Sequence, residues 1–308
     1  MKPDLAVLYE HPKWFSPLFY ALERRGVAFD AIHLSSHSFD PAGDAPPAPL
    51  VFNRVAMSSF LREPEHGIFY TEALLSHWEG KEARVLNGAE VLALDSSKAR
   101  QLSLLSRLGV PIPATRAVHR AQDLVPASQA LRYPVLVKAN IGGSGVGIAR
   151  YSSEDELTGA IADGNVPDSI DKVLLLQEYV PPRGGSIVRI ETLGGKFLYA
   201  IEVESSGDSF DLCPADACVA QPGRAAIGMK AVIPSEENVR VAEAIAQAAG
   251  LDVGGVELLI DDRDGVSRFY DINALSNFVA DPLGVLGWDP HDRLIDFITA
   301  VMKEKAQQ

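Results

Sequence analysis

The stretch "YPVLVKANIGGSGVGIARY", residues 133–151, decides how the chain is read. An apolar run carrying Lys138 leads into Gly142, Gly143, Ser144, Gly145, Val146 and Gly147. Glycine-rich loops of this kind commonly hold phosphate, but three architectures begin this way. A P-loop needs G-x-x-x-x-G-K-[ST] opening a helix, so that helix-terminal N–H groups and the lysine meet the phosphates. No Lys-Ser or Lys-Thr follows Gly147. A dinucleotide fingerprint needs G-x-G-x-x-G and again a helix at the loop. The spacing here differs, and "GIARY" reads as a short strand. What remains is a hairpin loop between two strands, closing over phosphates with backbone N–H groups as a nest does. A lysine inside "PVLVKAN" is costly unless an anion faces it. A surface hairpin with a solvated lysine stays open as the alternative.

Outward from the loop, "SSEDEL" supplies a capping box, Ser153 with Glu156, for a helix. "KVLLLQEYV" (172–180) reads as a strand, and "SIVRIETLGGKFLYAIEVES" (186–205) as a hairpin turned by a glycine pair. An irregular polar segment follows, then a helix at 235–250, a second hairpin at 255–273 and a closing amphipathic helix. Upstream, 95–113 is the clearest helix, with Leu102, Leu105 and Leu108 at helical spacing and Gly109 and Pro111 as its stop. The start alternates strand (4–10), helix (16–26, Ser16 as its N-cap) and strand (27–34), a β-α-β unit of a parallel sheet. Strands at 49–55 and 83–88 and a helix at 71–80 complete a first lobe.

The second hairpin offers a metal site. If its loop is the three residues Arg263, Asp264 and Gly265, then Asp262 pairs with Val266, Glu257 pairs with Asp271, and Asn273 shares their face. Two carboxylates and an amide then converge, a donor set suited to Mg²⁺ or Mn²⁺ together with substrate phosphates. An even loop would place the carboxylates on opposite faces. The polar face of a half-exposed hairpin is the plain alternative.

Composition narrows the function. The chain of 308 residues carries 28 Lys and Arg against 41 Asp and Glu, a formal charge of −13. Such a surface repels nucleic acid. The two cysteines, Cys213 and Cys218, cannot staple a chain this long, which suits a reducing cytoplasm. No leader or membrane-spanning run is read, so a cytoplasmic protein with no membrane partner is expected.

The ordered set resembles the ATP-grasp superfamily, of the glutathione synthetase and ribosomal-protein-modifying glutamate ligase (RimK-like) type. The set comprises a lysine-bearing helix before "GVPIP", "VLVK", "GGSGVG", "LLLQEYV", the arginine of "IVRIETLGGK", and acidic residues in "GVELL" and "FYDIN". The resemblance implies an α/β fold in which two α+β lobes (95–182 and 183–308) enclose ATP, after a Rossmann-like domain (1–94). It implies that Lys98, Lys138 and the loop residues 142–147 meet the phosphates. Gln177, Glu178, Tyr179 and Val180 would border the adenine, and Glu257, Asp271 and Asn273 would hold the metal. Arg189 would hold the carboxyl substrate and steady its acyl phosphate. Lys98 as a solvated charge and Arg189 as an exposed salt-bridge partner are the plain alternatives. The substrate end departs from the family pattern: Ser186 and Ile187 precede the arginine where an aspartate is usual, and "NALSNF" follows Asn273. His11, Trp14, Arg54 and Arg224 are the candidate substrate contacts. The expected reaction is ATP-dependent joining of a small-molecule or peptide carboxylate to an amine. A small-molecule kinase and a non-catalytic nucleotide-binding module are the competitors, and a homo-oligomer stays open.

Overall fold

The structure, a computed structural model, describes residues 3–11, 13–62, 65–142, 147–204, 228–305 and 307. Strands β1 (Leu5–Tyr9), β2 (Phe29–His33), β3 (Leu50–Arg54) and β4 (Arg84–Leu86) form a parallel sheet in the order β2-β1-β3-β4. Their apolar runs reflect burial on both faces. Leu5, Val7, Leu50 and Phe52 face the C-terminal part of the chain, whereas Ala6, Leu8 and Val51 pack under α2 (Ile68–Gly80) and α3 (Ala89–Asp95). The connecting helix α1 (Ser16–Arg24) is capped at Phe15 with no side-chain hydrogen bond, so the expected cap, Ser16, is instead its first helical residue. Helix α3 was not anticipated: seven residues are too few to show a helical period.

The glycine loop lies in a four-stranded antiparallel sheet, β5-β8-β6-β7, made of β5 (Thr115–Val118), β6 (Val135–Ala139), β7 (Ile148–Tyr151) and β8 (Leu174–Glu178). Helices α5 (Leu124–Ser128) and α6 (Glu154–Ala162) cover its inner face through Leu124, Leu157, Val135, Val137 and Leu176. Ser153 caps α6 by accepting from the Glu156 N–H, and Glu156 returns a carboxylate to the Ser152 N–H at 2.6 Å. The capping box is therefore offset by one residue in its return bond.

The third sheet is antiparallel and five-stranded, β11-β10-β9-β12-β13. It holds β9 (Ser186–Leu193), β10 (Lys196–Glu204), β11 (Met229–Ala231), β12 (Val253–Ile260) and β13 (Ser267–Asn273). One face, with Ile187, Ile201, Val203 and Val253, packs against the parallel sheet and against helix α9 (Pro290–Lys305), which follows the short α8 (Pro282–Leu286). The other face, with Ile190, Val256, Leu258 and Ile272, packs under α4 (Lys98–Arg107) and α7 (Glu236–Ala249). Helix α4, expected in the 95–182 lobe, buries Leu102, Leu104 and Leu105 against the third sheet. Its third expected apolar residue, Leu108, is exposed at the helix end.

Asn87, just past β4, fastens the parallel sheet to the third. Its amide donates to the Val253 and Ala274 carbonyls at 2.6 Å each and accepts from the Asp252 and Val253 N–H groups, while its own N–H donates to Asp252. The loop after β13 is thereby fixed to the first sheet. Among the described residues no helix is long and apolar enough to cross a membrane.

Candidate active site

The β12–β13 hairpin brings Glu257 opposite Asp271, the pairing expected from sequence, by a different route. The turn is not the three-residue loop. The Asp261 N–H donates to the Val266 carbonyl and Ile260 pairs with Ser267, leaving four residues, 262–265, in the loop. Asp262 therefore does not pair with Val266. Gly265 does take the left-handed conformation, at φ +77°. Such an even loop alone would set Glu257 against Tyr270. The pairing slips by one between Leu258–Phe269 and Glu257–Asp271, a β-bulge that makes Tyr270 the extra residue. The bulge turns Phe269 and Ile272, three apart, onto the same buried face and leaves Asp271 beside Glu257. Asn273 completes the group, its Nδ2 donating to Glu257 Oε1 at 3.2 Å.

Two cations press on these carboxylates. Lys98, the first residue of α4, donates to Asp271 Oδ1. Arg189 donates through Nη1 to Glu257 Oε1 at 3.1 Å and through Nε to Glu191 Oε1 at 2.6 Å. Gly255 pairs with Glu191 across the ladder, and a Cβ there would stand 2.7 Å from Arg189 Nε and 2.8 Å from Glu191 Oε1. Only glycine leaves room there for the pair to lie over β12. Arg189 is thus a buried member of a carboxylate-guanidinium-carboxylate chain, not an exposed partner. Burial opposes its charge, yet Glu191 and Glu257 outweigh this and hold its pKa above the usual arginine value. Burial, and then Asp271, push the Glu257 pKa up despite Arg189 and Lys98.

Lys138, on β6, enters the same cleft. Its Nζ donates to Gln177 Oε1 at 2.7 Å and lies 5.6 Å from the Tyr270 ring centroid. Gln177 is buried, and its Nε2 donates to Thr115 Oγ1 at 2.9 Å, which fixes which end of the amide faces the lysine. Burial and then the nearby Lys98 charge lower the Lys138 pKa to about 8. A strong anion beside it would restore the charge.

Asn140 couples the two lysines. Its Oδ1 accepts from the Ala99 N–H at 2.9 Å in the first turn of α4, and its Nδ2 donates to Asp171 at 2.6 Å. Ser97 caps the same helix, accepting from the Arg100 N–H. The root of the glycine loop and the helix carrying Lys98 are therefore one hydrogen-bonded unit. Gly142 and Gly147 flank the loop, and the Gly147 carbonyl accepts from the Ala139 N–H. Residues 143–146 lie outside the described residues, as do Arg224, Cys213 and Cys218.

In the 177–180 segment the Glu178 side chain turns aside: it accepts from the Arg132 N–H at 3.0 Å and stands 4.0 Å from the Arg263 guanidinium. The Glu178 and Tyr179 N–H groups donate to the Ala114 and Pro134 carbonyls. The buried Val180 N–H has no hydrogen-bond partner among the described residues. Tyr179 carries the Arg150 guanidinium 4.3 Å over its ring.

The expected substrate contacts divide. His11 accepts the Lys13 and Trp14 N–H groups on Nδ1 and stacks on Trp14 at 4.4 Å, with Arg62 over the indole. Burial, then Arg62 and Lys13, lower its pKa to about 4. Arg54 is buried between Phe15 and Phe52 and donates to the Ser276 carbonyl and to Asn277 Oδ1 at 2.9 Å, just past Asn273. It joins the parallel sheet to the loop after β13; His11 and Trp14 stay with each other and Arg62.

Sequence reading missed Glu191, Asp95 and Gln177's side chain. Asp95 accepts from the Ala274 N–H at 3.1 Å, and burial lifts its pKa to about 7. In "SIVRIETL" strict alternation puts Glu191 on the face of Arg189, which is the available signal.

Among known proteins, the profile of the RimK-like ATP-grasp domain matches residues 95–279, more than half of the chain. The chain belongs to this family. A probable alpha-L-glutamate ligase of Serratia proteamaculans (strain 568) is 27% identical over 231 residues, 75% of this chain and 72% of that protein. The probable alpha-L-glutamate ligase of Stutzerimonas stutzeri (strain A1501) is 27% identical over 192 residues, and this chain spans 60% of its length. Among solved structures, the ATP-grasp ligase PsnB complexed with minimal precursor superposes with a TM-score of 0.69 at 16% identity, covering 96% of this chain and 99% of that one. The D-Ala:D-Ser ligase VanG of Enterococcus faecalis gives 0.69 at 17%, covering 98% and 100%. These likenesses establish the ATP-grasp fold of the RimK-like chain.

Proposed function

We propose that this RimK-like protein is an ATP- and Mg²⁺-dependent, ADP-forming carboxylate–amine ligase of the acid–amino-acid type. The observation that carries the reading is the convergence of Lys98, Glu257, Asp271 and Asn273 with Lys138. The donor set fits a hard divalent cation. The buried Glu257 and half-buried Asp271 carboxylates stand opposite each other with an amide beside them, and ammonium and guanidinium groups already compensate their charge. Glu257, Asp271 and Asn273 would hold Mg²⁺, which supplies charge neutralisation at the phosphates.

The protein's own groups account for the rest. Lys138, and Lys98 once released from Asp271, neutralise the phosphate chain. Residues 142–147 would close over it with N–H donors, and Val180 N–H would meet the adenine edge. Phosphoryl transfer needs positioning and charge stabilisation rather than a covalent nucleophile, and the cleft offers the former. The substrate carboxylate attacks the γ-phosphate, ADP leaves, and Arg189 on its Glu191 support faces the developing acyl phosphate. An amine then displaces phosphate to form the amide. The glutamate-ligase relatives and the PsnB structure with its precursor peptide make an amino acid and a peptide end the substrate classes to try first, and a cytoplasmic location suits the ATP requirement.

The test is incubation with ATP, Mg²⁺, and amino-acid and peptide pools. A ligase releases phosphate only when acid and amine are both present, and ¹⁸O from the acid carboxylate appears in that phosphate. Phosphate retained on an organic product would instead identify a kinase, and nucleotide binding without ADP formation a non-catalytic module.

A further inference from the structure

A cavity of about 180 Å³ lies in the N-terminal part of the chain, apart from the lysine–carboxylate cleft. It sits at the carboxyl ends of the parallel strands: Glu10 follows β1, His33 ends β2 and Ser59 follows β3. Open α/β sheets bind ligands at this edge, where the strand order reverses about β1. Its wall is closed by the start of α2, thirteen residues long, whose cap position is Gly67 with no side-chain hydrogen bond. The first main-chain bond back to the cap is donated by Thr71, so the Ile68, Phe69 and Tyr70 N–H groups have no acceptor within the helix. A helix start of this kind favours negative charge.

A second observation points the same way. Ser59 lines the cavity and is only 5% exposed, yet its hydroxyl has no hydrogen-bond partner among the described residues; nor does the buried Nδ1 of His66, also in the wall. Buried polar atoms are ordinarily satisfied, so such orphans call for a ligand or solvent. His33 adds an oriented donor: its Nδ1 accepts from the Ser35 N–H, which leaves the proton of the neutral ring on Nε2. The Glu10 carboxylate on the rim is already paired with Arg62 at 2.6 Å, and Glu65 is exposed.

We infer that this cavity is a second oxyanion site, taking a carboxylate or phosphate group on the α2 N–H groups, the Ser59 hydroxyl and the His33 and His66 rings. It is separate from the nucleotide phosphates and stands whether or not the chain is a ligase, because it is read by binding rather than turnover. The test uses the full chain saturated with ADP and Mg²⁺, so that the nucleotide site is filled. Inorganic phosphate and glutarate are titrated in separate arms, with heteronuclear NMR following the Ile68, Phe69 and Tyr70 amides. At least one probe should bind at one equivalent and shift those amides. Ser59→Ala and, independently, His33→Gln should each weaken it about tenfold, the worth of a hydrogen bond to a charged group. Binding of phosphate alone assigns a phosphorylated ligand, and binding of glutarate alone a carboxylate. The inference is overturned if neither probe moves the amides, or if both variants bind as tightly as the parent.

Discussion

Nucleotide binding should draw a proton onto Lys138. In the free protein burial and Lys98 hold this amine at about 8, well below an ordinary lysine. A triphosphate beside it restores the solution value of about 10.4 or more, so the complex binds more protons than its parts. With a free pKa of about 8, the neutral fraction is about 0.1 at pH 7, about 0.5 at pH 8 and about 0.9 at pH 9. Proton uptake on binding should follow those figures. The sign follows from the raised pKa of the bound state. The affinity Lys138 contributes is fully present below pH 8 and is lost as pH rises towards the bound value, by up to about tenfold per unit. The terminal phosphate, with its second pKa near 6, is already ionised in this window. Calorimetry with ADP and Mg²⁺ at pH 8 and 9, in buffers of different ionisation enthalpy, measures the uptake directly. Lys138→Met should abolish the pH-dependent part. No uptake at pH 8, or the same uptake in Lys138→Met, would refute the placement of Lys138 at the phosphates.

Three further outcomes are expected. Gln177→Leu removes the acceptor of the Lys138 ammonium and should cost about 1–3 kcal/mol in urea unfolding and raise KM for ATP more than it lowers kcat. Asn87→Gly keeps the left-handed backbone allowed at φ +51° but deletes the side-chain bonds between the first and third sheets; a loss of at least about 2 kcal/mol in denaturant melts is expected. Asp95, with its pKa lifted to about 7, takes up a proton on folding, so its contribution declines as pH rises from 4 through 7. Asp95→Asn should therefore gain stability relative to the parent at pH 8 but not at pH 4, which thermal unfolding at the two pH values decides.

The fold was legible where local chemistry dictates it. The strand–loop–strand around Lys138 and the Gly194–Gly195 hairpin each announce themselves within a few residues. The Glu257–Asp271 pairing was legible too, but through an odd loop that does not exist. A four-residue loop and a bulge at Tyr270 give the same register at the site, and a bulge depends on the partner strand, which the local sequence does not display. Glu191, Asp95 and Asn87 were missed for a related reason. Asp95 and Asn87 find their partners in other elements, and Glu191 is buried with Arg189 of its own strand, so only the assembled lobes reveal that these polar groups are buried and satisfied or charged. Glu178 is a different case: it is expected to border the adenine, and its carboxylate accepts from the Arg132 N–H, a contact that the local sequence does not display.

The central claim is that acidic side chains of the β12–β13 hairpin and two lysines from different sheets grip one metal–nucleotide complex. A crystal structure with ADP and Mg²⁺ tests it most directly. Oxygens of Glu257, Asp271 and Asn273 should lie about 2.1 Å from the metal, with the Lys98 and Lys138 ammonium groups on the phosphates and Lys98 withdrawn from Asp271. A nucleotide bound elsewhere, or a metal held without Asp271, would contradict it.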